Sequence, residues 1–334
     1  MRSILILLVV SLAVNAGFAQ PSETIPGVSL DIKEWRVEKG GRPRDPFVDA
    51  NGKVWFCGQA GNYIASFEPE LNHFKYFEVP KGSHPHNLIV DGKGDVWYAG
   101  NRNGHIGKLN PDSGQITRFA MPEEISDPHT LVFDQKGNIW FTAQHSNAIG
   151  HLNTDTGMVR HVTASSPRSR PYGIKISGTG QPWAVLLGTN KLAMLAPKGL
   201  EMTEIEIPRI EARPRRLEIT EDNSIWYVDY AGGYLGRYDP KSKAFSEWKM
   251  PSGMQSLPYG TALDSDGRIW IAETGVYPNH LVGFDTKLKT FVHSSKIVNG
   301  GNIRHMYFDA PSNSFWFGID TGFIARASII STDD

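Results

Sequence analysis

Seven side chains that could do chemistry stand at a fixed distance before seven tryptophans. Arg44, His86, His129, Tyr172, Arg215 and Tyr259 lie eleven residues before Trp55, Trp97, Trp140, Trp183, Trp226 and Trp270. Arg304 lies twelve before Trp316, where the intervening segment is one residue longer. A column that served only packing would be small or apolar; this one is guanidinium, imidazole and phenol throughout. In six cases the preceding residue is proline: Pro43, Pro85, Pro128, Pro171, Pro214 and Pro258. Proline fixes φ and donates no ladder hydrogen bond, so it sets the direction of the next side chain. One place earlier come Arg42, His84, Asp127, Arg170, Arg213, Leu257 and Asn302.

Guanidinium groups hold carboxylate or phosphate with two parallel hydrogen bonds. Gathered in a concavity, they focus positive potential. The column therefore suits an anionic or carbonyl-bearing small molecule or peptide; the plain alternative is a polar channel end filled with water. Asp127, His129 and His86 add a carboxylate and two imidazoles on neighbouring repeats. Such a trio binds a divalent ion or moves protons near neutral pH; the plain alternative for each histidine is a hydrogen bond to water. Asp229 and Glu273 stand three residues after Trp226 and Trp270. They either line the same end or pair with the arginines, and pairing is favoured.

The elements that must position these residues come from an internal repeat. The tryptophans are 42, 43, 43, 43, 44 and 46 residues apart. Most follow a turn of the type Asp-x-x-Gly-x-Ile/Val-Trp, as at Asp134–Trp140 and Asp264–Trp270, whose Asp and Gly supply hairpin geometry. Asp264 to Gly267 also has a faint likeness to a calcium loop, but it lacks the ligand series such a loop needs. Each unit reads as four short strands. Four-stranded units repeated radially make an all-β, seven-bladed propeller, which protects sheet edges. The last unit lacks an outer strand, and an orphan strand at Ile32–Val37 is available to complete it. The innermost strands would deliver the seven-residue column to one end of a shared channel, and the tryptophans would fill the space between blades.

The first nineteen residues stand apart. Arg2 precedes an apolar run from Ile4 to Val14, and Gly17-Phe18-Ala19 is a small-x-small cleavage site. This predicts a signal peptide over 1–19 and a propeller over 20–334, periplasmic or secreted, with no membrane span in the mature form. Cys57 is the single cysteine, so no internal disulfide supports the fold. Removing Arg2 leaves 33 basic residues against 35 acidic ones, a balance that excludes an ordinary nucleic-acid binder. A monomer is expected.

The repeat resembles the virginiamycin B lyase, or streptogramin lyase, family. The likeness is strongest from His129 to Leu152: His-Thr-Leu, Gly137-Asn-Ile-Trp-Phe-Thr142, then Asn147-Ala-Ile-Gly150. The resemblance implies a propeller that opens a cyclic depsipeptide at an ester by elimination, assisted by Mg²⁺. It places a Pro-His histidine in the sixth blade and a Glu-Pro-His pair in the seventh. In blade order those positions are Tyr259, Asn302 and Arg304 here. The same local pattern occurs instead at Pro85-His86 and Asp127-Pro128-His129. By the resemblance, His129 would be the base, Asp127 a metal ligand and His86 a partner to metal or leaving group. Independently of the resemblance, the strand-entry column and the acid after Trp270 give a ligand-contacting set of Arg44, Tyr172, Arg215, Tyr259, Arg304 and Glu273. Two non-catalytic alternatives remain, a binding module that uses the arginines and an interaction scaffold. A gluconolactonase-like metal set would have only Asp229, Glu273 and Asn302 to draw on. For the exported chain, N-terminal sequencing of the secreted form should begin at Gln20.

Overall fold

The computed structural model describes residues 28–331. The expected signal segment lies outside the described residues. Within them the chain folds into seven four-stranded antiparallel sheets, the propeller expected from the repeat. The innermost strands are Pro43–Val48, Pro85–Val90, Pro128–Phe133, Pro171–Ile176, Pro214–Ile219, Pro258–Leu263 and Ile303–Asp309. Each packs on its neighbours on both sides, so they form a closed ring around one axis.

Burial follows distance from that axis. The second strands, such as Val54–Gly58, Val96–Gly100 and Ile139–Ala143, are buried at every position. Both their faces press on adjoining blades, so polar alternation is lost. The outermost strands, such as His73–Glu78, alternate toward solvent. All seven repeat tryptophans are buried, as their structural assignment requires. The turn aspartates do more than shape hairpins. Asp49, Asp91 and Asp264 each accept the indole N–H of the tryptophan six residues later, at 2.8, 2.9 and 2.8 Å. Trp226 has Thr220 Oγ1 instead, at 3.2 Å. A buried indole N–H needs such a partner, which explains the Asp-to-Trp spacing. The Asp264 loop is therefore a hairpin whose carboxylate is committed to Trp270 and Arg268.

The ring closes with a strand from each end of the chain. Val28–Arg36 pairs antiparallel with Phe323–Ser331 along its whole length, from Val28 opposite Ser331 to Arg36 opposite Phe323. Trp35 then stacks on Trp316, with ring centroids 5.6 Å apart. Among the described residues no helix is long and apolar enough to cross a membrane.

One irregularity recurs in all seven innermost strands. Pairing with the second strand shifts register just after the entry residue, as between Pro85 and Leu88 or Pro128 and Leu131. Bulges of this kind re-aim side chains. Here they leave His86, His129, Tyr172, Arg215, Tyr259 and Arg304 out of the ladder and let them face the axis, while Arg44 stays paired with Cys57 and the shift follows it. Trp316→Ala removes the buried indole stacked on Trp35 and should cost about 3–5 kcal/mol of stability. Urea unfolding followed by circular dichroism measures it.

Candidate functional site

The seven-residue column meets at one end of the channel. His86 and His129 lie ring to ring, with centroids 3.7 Å apart, and His129 reaches Tyr172 at 4.2 Å. The hydroxyls of Tyr172 and Tyr259 hydrogen-bond to each other across the axis. The Arg215 guanidinium stacks over Tyr259 at 3.6 Å, Tyr230 at 4.1 Å and Tyr172 at 5.2 Å. Arg304 approaches Tyr259 at 5.9 Å. The result is packed rather than an open funnel: Arg44, His86, His129, Tyr172 and Tyr259 are buried, His129 and Tyr259 to 1% exposure. Long side chains on seven strands fill the narrow axis they share. Arg215 and Arg304 remain half-buried at the outer edge.

A second layer lies one residue further along the strands: Asp45, Asn87, Thr130, Gly173, Arg216, Gly260 and His305. Sequence reasoning passed over it. Arg216 spans the channel from the fifth blade. Its Nη2 pairs with Asp45 of the first blade at 3.5 Å. Its Nη1 donates to Thr130 of the third blade at 3.1 Å, and its Nε to the Arg304 carbonyl of the seventh at 3.0 Å. Gly173 leaves room for the strand that carries it, since a Cβ there would meet Arg216 Cα at 3.1 Å. Asp45 also accepts from Arg44 Nε at 2.9 Å and Asn87 Nδ2 at 3.1 Å. The signal was present in the sequence: the position after the column contains a single acid and a single arginine.

Charge at this end is unbalanced. Arg44 and Arg216 share the carboxylate of Asp45, Arg304 has Asp320 at 2.8 Å, and Arg215 lies over tyrosine rings. Burial would raise the Asp45 carboxyl, but Arg44 and Arg216 overcome it and hold the group well below the ordinary range. Burial, and after it Arg44 for His86 and Arg216 for His129, keep both imidazoles neutral. Burial also opposes ionisation of Tyr172, yet Arg215, Arg216 and Arg44 pull it down to about 8, while burial and Tyr172 hold Tyr259 up at about 12. Arg44 Nη2, Arg215 Nε, Arg304 Nε, His86 Nδ1 and His129 Nε2 have no hydrogen-bond partner among the described residues. Thr130 Oγ1 lies 2.9 Å from His129 Nδ1 and accepts from Arg216. The hydroxyl has a second lone pair as well as its proton, so it serves His129 Nδ1 as acceptor or as donor and satisfies either tautomer.

The remaining expected site residues are engaged elsewhere. Asp127 accepts from the His145 N–H at 2.6 Å and from the N–H and hydroxyl of Ser146 at 2.9 and 2.6 Å. It ties a loop within its own blade. Glu273 accepts from Ser252 N–H and hydroxyl at 3.0 and 2.6 Å and lies 3.5 Å from His280, so the favoured arginine pairing does not occur there. Asp229 does pair with an arginine, Arg209, at 2.5 Å. In the outer column Arg42 and Arg170 are exposed and take left-handed φ of 60° and 55°. Mg²⁺ does not fit the donors near the histidines: both oxygens of Asp127 are occupied by protein donors, and Asp45 is held by two guanidiniums. Among the described residues no three His, Cys, Asp or Glu side chains are grouped to hold a metal ion.

Fold and site together define a seven-bladed propeller whose channel is capped at one end by arginine, tyrosine and histidine. The chain belongs to the virginiamycin B lyase family, whose profile matches residues 27–277. In structure it is similar to virginiamycin B lyase from Staphylococcus aureus, at 21% identity, TM-score 0.81, over 90% of this chain and 100% of that one. A catalytically inactive His→Ala variant of that S. aureus lyase, solved with quinupristin, is 23% identical with TM-score 0.82 over 90% and 100% of the two chains. The extracellular domain of a hybrid two-component system from B. thetaiotaomicron is 16% identical with TM-score 0.68, over 91% of this chain and 43% of that one. Comparison with curated proteins finds no match.

The electrostatics give two expectations. Tyr172 ionises more easily folded than unfolded, so its contribution to stability is full above about pH 10 and is lost as pH falls through about 8. Phenolate absorbance should show one tyrosine titrating near pH 8, absent in Tyr172→Phe. Asp45→Asn leaves Arg216 and Arg44 buried without their counter-charge and should cost about 3–5 kcal/mol in denaturant unfolding.

Proposed function

We propose that this protein is an exported binding propeller that takes a small anionic molecule, or the carboxylate of a peptide, at the arginine end of its channel. The observation that carries this reading is the surplus of buried donors. Arg44 Nη2, Arg215 Nε and Arg304 Nε are buried donors without a hydrogen-bond partner among the described residues, and the last two belong to guanidiniums beside Tyr259. An unmade hydrogen bond on a buried donor costs about 1–3 kcal/mol, and an anion would satisfy several at once. Arg215 and Arg304, half-buried at the edge, form the approach. Export is supported by the N-terminal apolar run with its small-x-small site and by the extracellular setting of a structural neighbour.

Family membership favours a second reading, a carbon–oxygen lyase acting on an ester or lactone with His129 as base and His86 beside it. One observation weighs against it. The metal that assists the family's elimination finds no free carboxylate beside these histidines.

Isothermal titration with succinate and with inorganic phosphate separates the readings. Arg215→Gln with Arg304→Gln should weaken anion binding by at least about tenfold, with the circular dichroism unchanged. An unaltered Kd removes the binding proposal. Under the lyase reading, His129→Ala should instead lower ester opening by about 10²–10⁴.

A further inference from the structure

The Arg216 layer divides the channel, and beyond it lies a cavity that the anion site does not use. It measures about 140 Å³. Its walls come from the far ends of the innermost strands, including Ile89, Val132 and Ile174, and are mainly apolar. Phe47 and Tyr307 form an aromatic wall, with ring centroids 4.5 Å apart. An adjoining space of about 310 Å³ shares Lys175, Glu218, His305 and Tyr307 with it.

The polar groups lining this cavity define what it can take. Glu218 uses both oxygens, accepting from Thr261 Oγ1 at 2.8 Å and Lys175 Nζ at 2.9 Å. Arg216 is committed to Asp45, Thr130 and the Arg304 carbonyl. Each charge at the wall is therefore already countered or bonded. His305 differs: neither ring nitrogen has a partner among the described residues, and Nε2, unlike the fully buried Nδ1, keeps accessible surface. Burial, with Arg216 nearby, drives its pKa down to about 3, so the ring is neutral.

We infer that this end of the channel is a separate binding site for a small neutral aromatic alcohol, with the ring against Phe47 and Tyr307 and the hydroxyl on His305 Nε2. A hydroxyl both donates and accepts, so it satisfies His305 in either tautomer. An apolar cavity of about 150 Å³ accommodates benzene in an engineered protein, which sets the size as one ring. An anion is disfavoured because no free cation faces the cavity to offset its desolvation. This site does not depend on the anion reading, since the two regions lie on opposite sides of Arg216.

The test uses the intact mature chain and three probes, phenol, toluene and benzoate, followed by NMR titration and calorimetry. Phenol should saturate a single site. Val132→Phe fills the cavity and should abolish saturation; thermal melting checks that the variant is folded. His305→Leu should weaken phenol by about five- to tenfold while leaving toluene unchanged. Arg215→Gln should leave phenol binding intact, which keeps this result independent of the anion site. Failure of phenol to saturate, equal phenol affinity in folded Val132→Phe, equal loss of phenol and toluene in His305→Leu, or benzoate binding as tightly as phenol would each overturn the inference.

Discussion

Seven innermost strands share one axis, and a strand from each end of the chain holds them there. Val28–Arg36 supplies the outer edge of the last sheet, so the ring opens only if nine residues of pairing and the Trp35–Trp316 stack are lost together. With the ring closed, the axis has no room for seven independent side chains. A residue facing inward meets partners from blades far away in sequence. Arg216 illustrates this, touching residues 171, 86 and 88 positions away. The chemistry of the channel is thus a consequence of closure and would not survive in any single blade.

The same crowding explains why charge collects without mutual cancellation. Four guanidiniums enter the axis region, and their carboxylate partners there are Asp45 and Asp320. Other acids near the rim, Asp127, Asp229 and Glu273, accept backbone N–H groups of adjacent loops. These bonds hold loops in place at the cost of leaving arginine charge uncompensated. Buried ion pairs are weak evidence for stability, because desolvation offsets most of the attraction. The Asp45–Arg216 contact is better understood as a divider. It separates a positive region, where Tyr172 is unusually acidic, from a region whose charges are already matched.

Much of the architecture was legible in the residues. The tryptophan spacing, the Asp and Gly of the hairpins and the missing outer strand after Phe323 led to the ring and its closure. The column was legible too, because proline marks strand entry. What escaped was the contact pattern. Asp127 and His129 flank one proline and resemble a catalytic pair, yet the bulge turns His129 toward the axis while Asp127 bonds the loop at Ser146. Glu273 resembles an arginine partner, but Ser252 lies closer to hand. Arg216 stood out as the one arginine at its position, but that it faces the axis did not, because adjacent strand residues ordinarily face opposite ways and the bulge alters that alternation.

Local chemistry determined everything periodic here: strand lengths, turns, blade number and the residue at each strand entry follow from patterns a few residues long, since backbone hydrogen bonds and burial act at that range. Which side chains meet was decided by the closed ring alone. Contacts across the axis join residues more than eighty positions apart, and their distances depend on how seven sheets fit around one line, a quantity no stretch of the chain contains.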